Sequence, residues 1–213
     1  MYGCAEEVVG ALREHVPNAF LATKVWTEGR ERGIEQMERS MHRMRADVIH
    51  LMQIHNLLDW RTHLRTLRDW KRDGRIRYLG ITHYTRASFG YLASIMRSEE
   101  IDFVQLPFSL ALPDAADRLL PLAADRGIAV VVNRPFEEGA LFKRARNIAI
   151  PEWTECKTWG ELALRWIVSH PEVTCVIPAT RNPEHVAENM RAGSARLFDA
   201  RERKLLRELL SGA

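Results

Sequence analysis

The stretch from Val48 to Tyr84, VIHLMQIHNLLDWRTHLRTLRDWKRDGRIRYLGITHY, decides the fold. It opens on an apolar run, Val48 to His55, of the length of a buried strand. Leu64, Leu67 and Trp70 then recur at helical spacing on one face, and Gly74 stops that helix just before Arg75-Ile76. A second apolar run, Ile76 to Ile81, follows. Two strands joined through a helix in this way are expected to lie parallel.

The same unit repeats outward. Strand-like runs occupy Phe20 to Lys24, Val48 to His55, Ile76 to Ile81, Asp102 to Leu106, Ile128 to Asn133 and Thr174 to Pro178. Most successive starts lie about 26 to 28 residues apart, a period that suits one strand plus one helix. Ile34, Met37, Met41 and Met44 form another apolar helix face, and Gly127 ends a helix before a run of alanine, valine and isoleucine. Alternation of this kind predicts an α/β fold with a parallel sheet and covering helices. No Gly-x-Gly-x-x-Gly follows any strand, so the Rossmann fingerprint is missing and a (β/α)8 TIM barrel is favoured. Six strand-helix units can be counted, whereas a full barrel takes about 250 residues. The chain is therefore expected to be a single incomplete barrel domain, residues 1–213, lacking the first one to two strand-helix units. Residues 134–158 read as irregular, and Phe136, Phe142 and Trp153 make this segment either a lid over the barrel mouth or a surface loop pinned by aromatics.

Composition narrows the function classes. With 213 residues, 46% hydrophobic and 28% charged, the chain has enough apolar content for one sizeable core. The formal charge of +3 is spread through interspersed Arg and Glu, which gives no basic stripe for nucleic acid. Cys4, Cys156 and Cys175 show no C-x-x-C spacing, so neither a disulfide framework nor a metal site is expected, and reduced thiols suit a cytoplasmic protein. No apolar stretch approaches the roughly 20 residues that span a bilayer.

Barrel chemistry sits at the C-terminal ends of strands, where Lys24 and His55 are found. Tyr2 completes an apparent catalytic set. A phenol has an ordinary pKa of about 10, but an ammonium about 4 Å away at an effective dielectric of about 20 favours phenolate by about 4 kcal/mol. Tyr2 beside Lys24 is thus expected to serve as a general acid near pH 7, with a neutral His55 orienting a carbonyl and a reduced cofactor supplying hydride. Taken singly, Lys24 reads equally as an exposed strand-end lysine and His55 as a hydrogen-bonded loop histidine; their combination points to carbonyl reduction.

A second constellation runs from Val176 to Asn189. A strand passes through a polar loop into a helix with Asn182 as N-cap and Pro183 at its first position. Free N–H groups and the positive helix end make such a junction an anion site, and also describe any well-capped helix.

At this point the sequence resembles the aldo-keto reductases. Tyr2-Gly3-Cys4-Ala5-Glu6-Glu7-Val8-Val9-Gly10 is similar to that family's Tyr-Gly-x-x-E-x-x-x-G segment. Thr23-Lys24-Val25, Gln53-Ile54-His55-Asn56 and Gly74 to Tyr84 resemble its lysine strand, its histidine strand and its Gly-Lys-Ile-Arg-x-x-Gly-Val-Ser-Asn segment. Val104-Gln105-Leu106, Gly127 to Pro135, Ala163 to Trp166 and Ile177 to Asn189 match in order. The resemblance implies catalytic roles for Tyr2, Lys24 and His55, and NADPH, with NADH possible, as hydride donor. Thr82 and Gln105 would hold the carboxamide, and Thr180, Arg181, Glu188 and Asn189 would surround the adenosine phosphate. The substrate would be a small aldehyde or ketone, with Trp26, Asn56, Trp60 and Phe136 near the pocket.

Several positions depart from the family pattern. His83 stands where asparagine is usual, Asn133 replaces the aromatic that stacks on nicotinamide, and Arg134 follows it. Ala179 and His185 replace the lysine and arginine that hold the 2′-phosphate, leaving Arg181. Weak discrimination between NADPH and NADH is therefore expected. The catalytic aspartate and first strands have no counterpart, so a truncated member is expected, with Met1 an internal methionine. Its strands at Phe20 and Thr174 would be open edges through which copies associate. An inactive fragment or a cofactor-binding subunit is the alternative to an enzyme.

Overall fold

The structure, a computed structural model, describes residues 3–212. The backbone divides into two compact units: residues up to His83 with Glu99–Val104, and Tyr84–Ser98 with Gln105 onward.

The first unit runs α1 (Ala5–Leu12), β1 (Ala22–Val25), α2 (Arg30–Arg43), β2 (Ile49–Ile54), α3 (Trp60–Arg72) and β3 (Ile76–Thr82). Its strands are parallel, with Lys24 opposite Gln53 and Gln53 opposite Gly80. Each lies within two residues of its expected span at either end. Strand β1 starts at Ala22 because Phe20 turns outward: its ring is exposed and stacks on His50 at 5.1 Å. The helices form where apolar residues recur every three or four positions, and they bury those residues. Met37 and Met44 are buried at α2, and Leu64, Leu67 and Trp70 on α3. Each such side chain contributes roughly 1.5–3 kcal/mol. Helix α3 stops at Gly74, whose φ of +74° suits glycine, and the Arg75 N–H donates back to the Trp70 carbonyl at 2.9 Å.

The second unit holds α4 (Phe89–Ser98), then β4 (Phe103–Pro107) from Gln105 onward, α5 (Leu119–Asp125), β5 (Ala129–Asn133), α6 (Ala140–Arg144), α7 (Trp159–Val168), β6 (Val173–Val176), α8 (Pro183–Ser194) and α9 (Ala200–Ser211). Parallel β5 and β6 pair through Val130–Val173 and Val132–Val176. Val130, Val132, Leu119, Leu162 and Trp166 are buried at its core, and Gly127, with φ of +64°, ends α5 as expected. Helix α9 opens on a capping box between Asp199 and Glu202. Residues 134–158 are a series of 3-10 turns around α6, with positive φ at Arg134, Glu137, Glu138 and Gly139. Among the described residues β1 pairs with β2 alone and β6 with β5 alone, and no helix is long and apolar enough to cross a membrane.

Candidate active site

Side chains alternate across a strand, so Lys24, Gln53 and Gly80 share one face of the first unit's sheet. His55 and Thr82, two residues beyond Gln53 and Gly80, continue that face at the C-terminal strand ends. Lys24 is half-buried, and burial lowers its pKa. His55 is pushed down to about 4 by burial, then by the charges of Lys24 and His83. Its imidazole is therefore neutral at pH 7, able to donate from one nitrogen and accept at the other. Burial lowers His83 as well. Asn56, with φ of +53°, donates its N–H to the Thr82 hydroxyl at 3.2 Å. The exposed Trp26 ring meets His55 edge-on at 5.2 Å, and its backbone N–H donates to Gln36 at 2.8 Å. Trp60 is buried, with the Arg61 guanidinium 4.4 Å over its ring. The first unit thus brings Lys24, His55, His83, Thr82, Asn56 and Trp26 to neighbouring strand ends, while Tyr2 lies outside the described residues.

Three polar groups of this unit lie in the matched segments but were assigned no role from sequence. Gln53 is buried, with Nε2 lacking a partner among the described residues. Gly80 makes room beside it: an added Cβ would lie 3.3 Å from Gln53 Cγ and 2.7 Å from the Phe103 carbonyl. Glu6 and Thr23 are also buried and bonded to each other.

The second unit carries a cleft of about 470 Å3 lined by Phe136, Phe142, Thr180, His185, Glu188 and Asn189 among others. It lies at the start of α8, where Asn182 caps the helix by accepting from the Glu184 N–H at 3.0 Å and Pro183 takes the first turn. The Thr180 hydroxyl accepts from the Asn182 N–H at 3.1 Å and lies 3.3 Å from His185 Nδ1. Glu188 accepts from the Thr158 hydroxyl. No lysine or arginine is among the described residues lining this cleft, and Arg181 is exposed outside it. Arg134 pairs instead with Glu138 at 3.0 Å and Glu137 at 3.5 Å, 5.8 Å over the Tyr84 ring. Gln105 is buried on β4, and Asn133 is half-buried at the end of β5. Phe136 and Phe142, 5.2 Å apart, form an aromatic wall, whereas Trp153 packs against Phe198 at 5.9 Å.

The positive end of a helix, flanked by amide, carboxylate and aromatic side chains, can hold a flat polar ligand bearing an anionic group. A half-buried lysine beside a neutral histidine can assist proton transfer to an oxygen.

Known proteins share this arrangement of elements. The NADH-specific methylglyoxal reductase of Escherichia coli (strain K12) is 24% identical, aligned over 82% of this chain and 63% of its own length, so the chain spans under two thirds of that relative. The holo form of aldo-keto reductase AKR11C1 from Bacillus halodurans superposes with a TM-score of 0.76 at 25% identity, covering 96% of this chain and 76% of that one. An aldo/keto reductase from Klebsiella pneumoniae, in complex with NADP and acetate, gives 0.80 at 21% identity, covering 97% and 75%. Alternating parallel strands and helices with these likenesses give the aldo-keto reductase form of the (β/α)8 barrel, with six strands in the described residues. The family model for the aldo/keto reductase family matches residues 1–211, and the chain belongs to that family.

Proposed function

We propose that this chain reduces a small aldehyde or ketone to an alcohol with NADPH or NADH. The observation that carries the reading is a histidine held neutral beside a half-buried lysine at adjacent strand ends. In this reading Tyr2 donates the proton to the carbonyl oxygen, and the Lys24 ammonium supports the phenolate left behind. Neutral His55 donates a hydrogen bond that orients the same oxygen. Its low pKa keeps it from competing as a second acid. The nicotinamide, when bound, supplies the hydride. The cleft beside α8 suits the adenosine phosphate end: Glu188 and Asn189 offer an acceptor and an amide to a base, and the Thr180 hydroxyl with the positive end of α8 suits an anion. The E. coli relative's activity on methylglyoxal and the NADP in the Klebsiella structure support this cofactor and substrate class.

The test is to mix the protein with methylglyoxal and NADPH or NADH and follow the loss of reduced-nicotinamide absorbance. Tyr2→Phe is expected to abolish turnover while cofactor binding persists; a fully active Tyr2→Phe overturns the assignment. A second reading, cofactor binding without turnover, draws on the cleft beside α8 alone. Saturable NADPH fluorescence with no absorbance loss would identify it.

A further inference from the structure

Glu6 is a buried carboxylate on α1, 8% exposed. The Thr23 hydroxyl donates to its Oε1 at 2.7 Å, Ser40 gives a second side-chain hydrogen bond, and Arg43 Nη1 stands 3.6 Å from Oε2. Burial pushes the carboxyl pKa up, hydrogen bonds and the nearby positive charge of the chain's amino terminus pull it down, and the net shift is downward. Burying a charge is costly, so its place calls for a reason. Docking of α1 alone does not supply one. Exposed Glu7 already pairs with Arg43 at 3.6 Å, and a Cβ at Gly10 would collide with the Arg43 carbonyl, so α1 and the end of α2 are in close contact without Glu6.

Strand β1 is where Glu6 matters. It has four residues, pairs on one side only among the described residues, and is exposed at Ala22. A cavity of about 110 Å3 lined by Val9, Ala22, Thr23 and Lys24 lies between it and α1, so apolar packing does not lock the two together there. Leu21 and Val25, which share the face of Thr23, are buried, so burial sets which way the strand faces, and the spacing between β1 and α1 is what the cavity leaves loose. The Thr23–Glu6 bond bridges that gap, tying to α1 the residue next to Lys24. We infer that Glu6 is a positioning residue, fixing through Thr23 the spacing between β1, which carries Lys24, and the helix that follows Tyr2. The inference rests on the proposed pairing of Tyr2 with Lys24.

The test compares wild type with Thr23→Val, Thr23→Ser, Glu6→Gln and, as control, Glu7→Gln. Three quantities are read: kcat with methylglyoxal and NADPH, the affinity for NADPH, and the tyrosinate absorbance titration of Tyr2, obtained by subtracting Tyr2→Phe. A positioning role lowers kcat at least tenfold in Thr23→Val and Glu6→Gln, leaves NADPH affinity unchanged, and moves the Tyr2 titration up towards the ordinary value of about 10. Thr23→Ser and Glu7→Gln stay near wild type. A lower melting temperature with kcat and titration unchanged would make Glu6 structural only and overturn the inference. A wild type without turnover, whose Tyr2 titration is nonetheless depressed and moves in Thr23→Val, sinks the proposed reaction and keeps the positioning role. An ordinary Tyr2 titration in wild type sinks the pairing and the inference with it.

Discussion

Protonation of His55 offers the sharpest check on the chemistry. Its folded pKa of about 4 lies well below the ordinary histidine value, because burial and then the charges of Lys24 and His83 oppose imidazolium. At pH 5.5 roughly 3% of His55 is then charged, against roughly 90% for an unperturbed imidazole. NMR titration of the Cε1 protons of the eight histidines, with His55→Gln for assignment, reads this directly. A His55 midpoint at or above pH 6 refutes the reasoning. Lys24→Met removes one cation but leaves burial, the larger cause, in place. The midpoint is therefore expected to rise part of the way and remain below the ordinary value; complete recovery would show that burial is not the leading cause. If His55 acts as the neutral donor proposed, the acid limb of kcat/KM assigned to it lies below pH 5, and a limb near pH 6.5 that vanishes in His55→Gln contradicts that role.

His170 gives a stability counterpart. It is 8% exposed, packs edge-on against Trp166 and Phe108 at 4.5 and 4.9 Å, and donates from Nδ1 to the Trp166 carbonyl at 3.0 Å. Burial first, and Arg203 next, push its pKa down to about 4. A depressed histidine contributes stability above the unfolded pKa of about 6.5 and loses it as pH falls towards 4, so about 2 kcal/mol should disappear between pH 7 and pH 5. Urea midpoints at the two pH values check this, and His170→Asn should reduce the difference by about that amount, leaving the share that His55 contributes; an equal loss in the variant refutes it. For the cofactor, a cleft without lysine or arginine in its lining is expected to separate NADPH from NADH by less than about a hundredfold, near 3 kcal/mol. Binding constants for the two cofactors measure it, and a larger preference for NADPH counts against this account of the cleft.

The strands were legible because each is a short apolar run, closed by a polar residue at Lys24, His55, Thr82 and Asn133, and the helix stops because Gly74 and Gly127 take the left-handed backbone. Lys24 and His55 stood out for the same reason: they end such runs. Phe20 misled at β1, since hydrophobicity alone does not reveal a ring that stacks on His50 in solvent. The turns of residues 134–158 escaped notice because Arg134, Glu137 and Glu138 adopt positive φ that their residue types do not announce. The pairing of Glu6 with Thr23 joins residues 17 apart on different elements, beyond the reach of any local period. Phe136 and Phe142 meet in the wall of the cleft beside α8 while Trp153 goes to Phe198, a division that only tertiary packing makes.

The Thr158 hydroxyl both caps α7, accepting from the Glu161 N–H at 3.1 Å, and donates to Glu188 in the cleft. One oxygen therefore serves a helix end and a binding wall. Fraying of the first turn of α7 withdraws the partner of Glu188, and a ligand that reorients Glu188 draws on the cap. Linkage makes the two free energies reciprocal, so occupancy of the cleft is written into the amide exchange of Glu161 and Leu162, just beyond the Trp159 and Gly160 that line it.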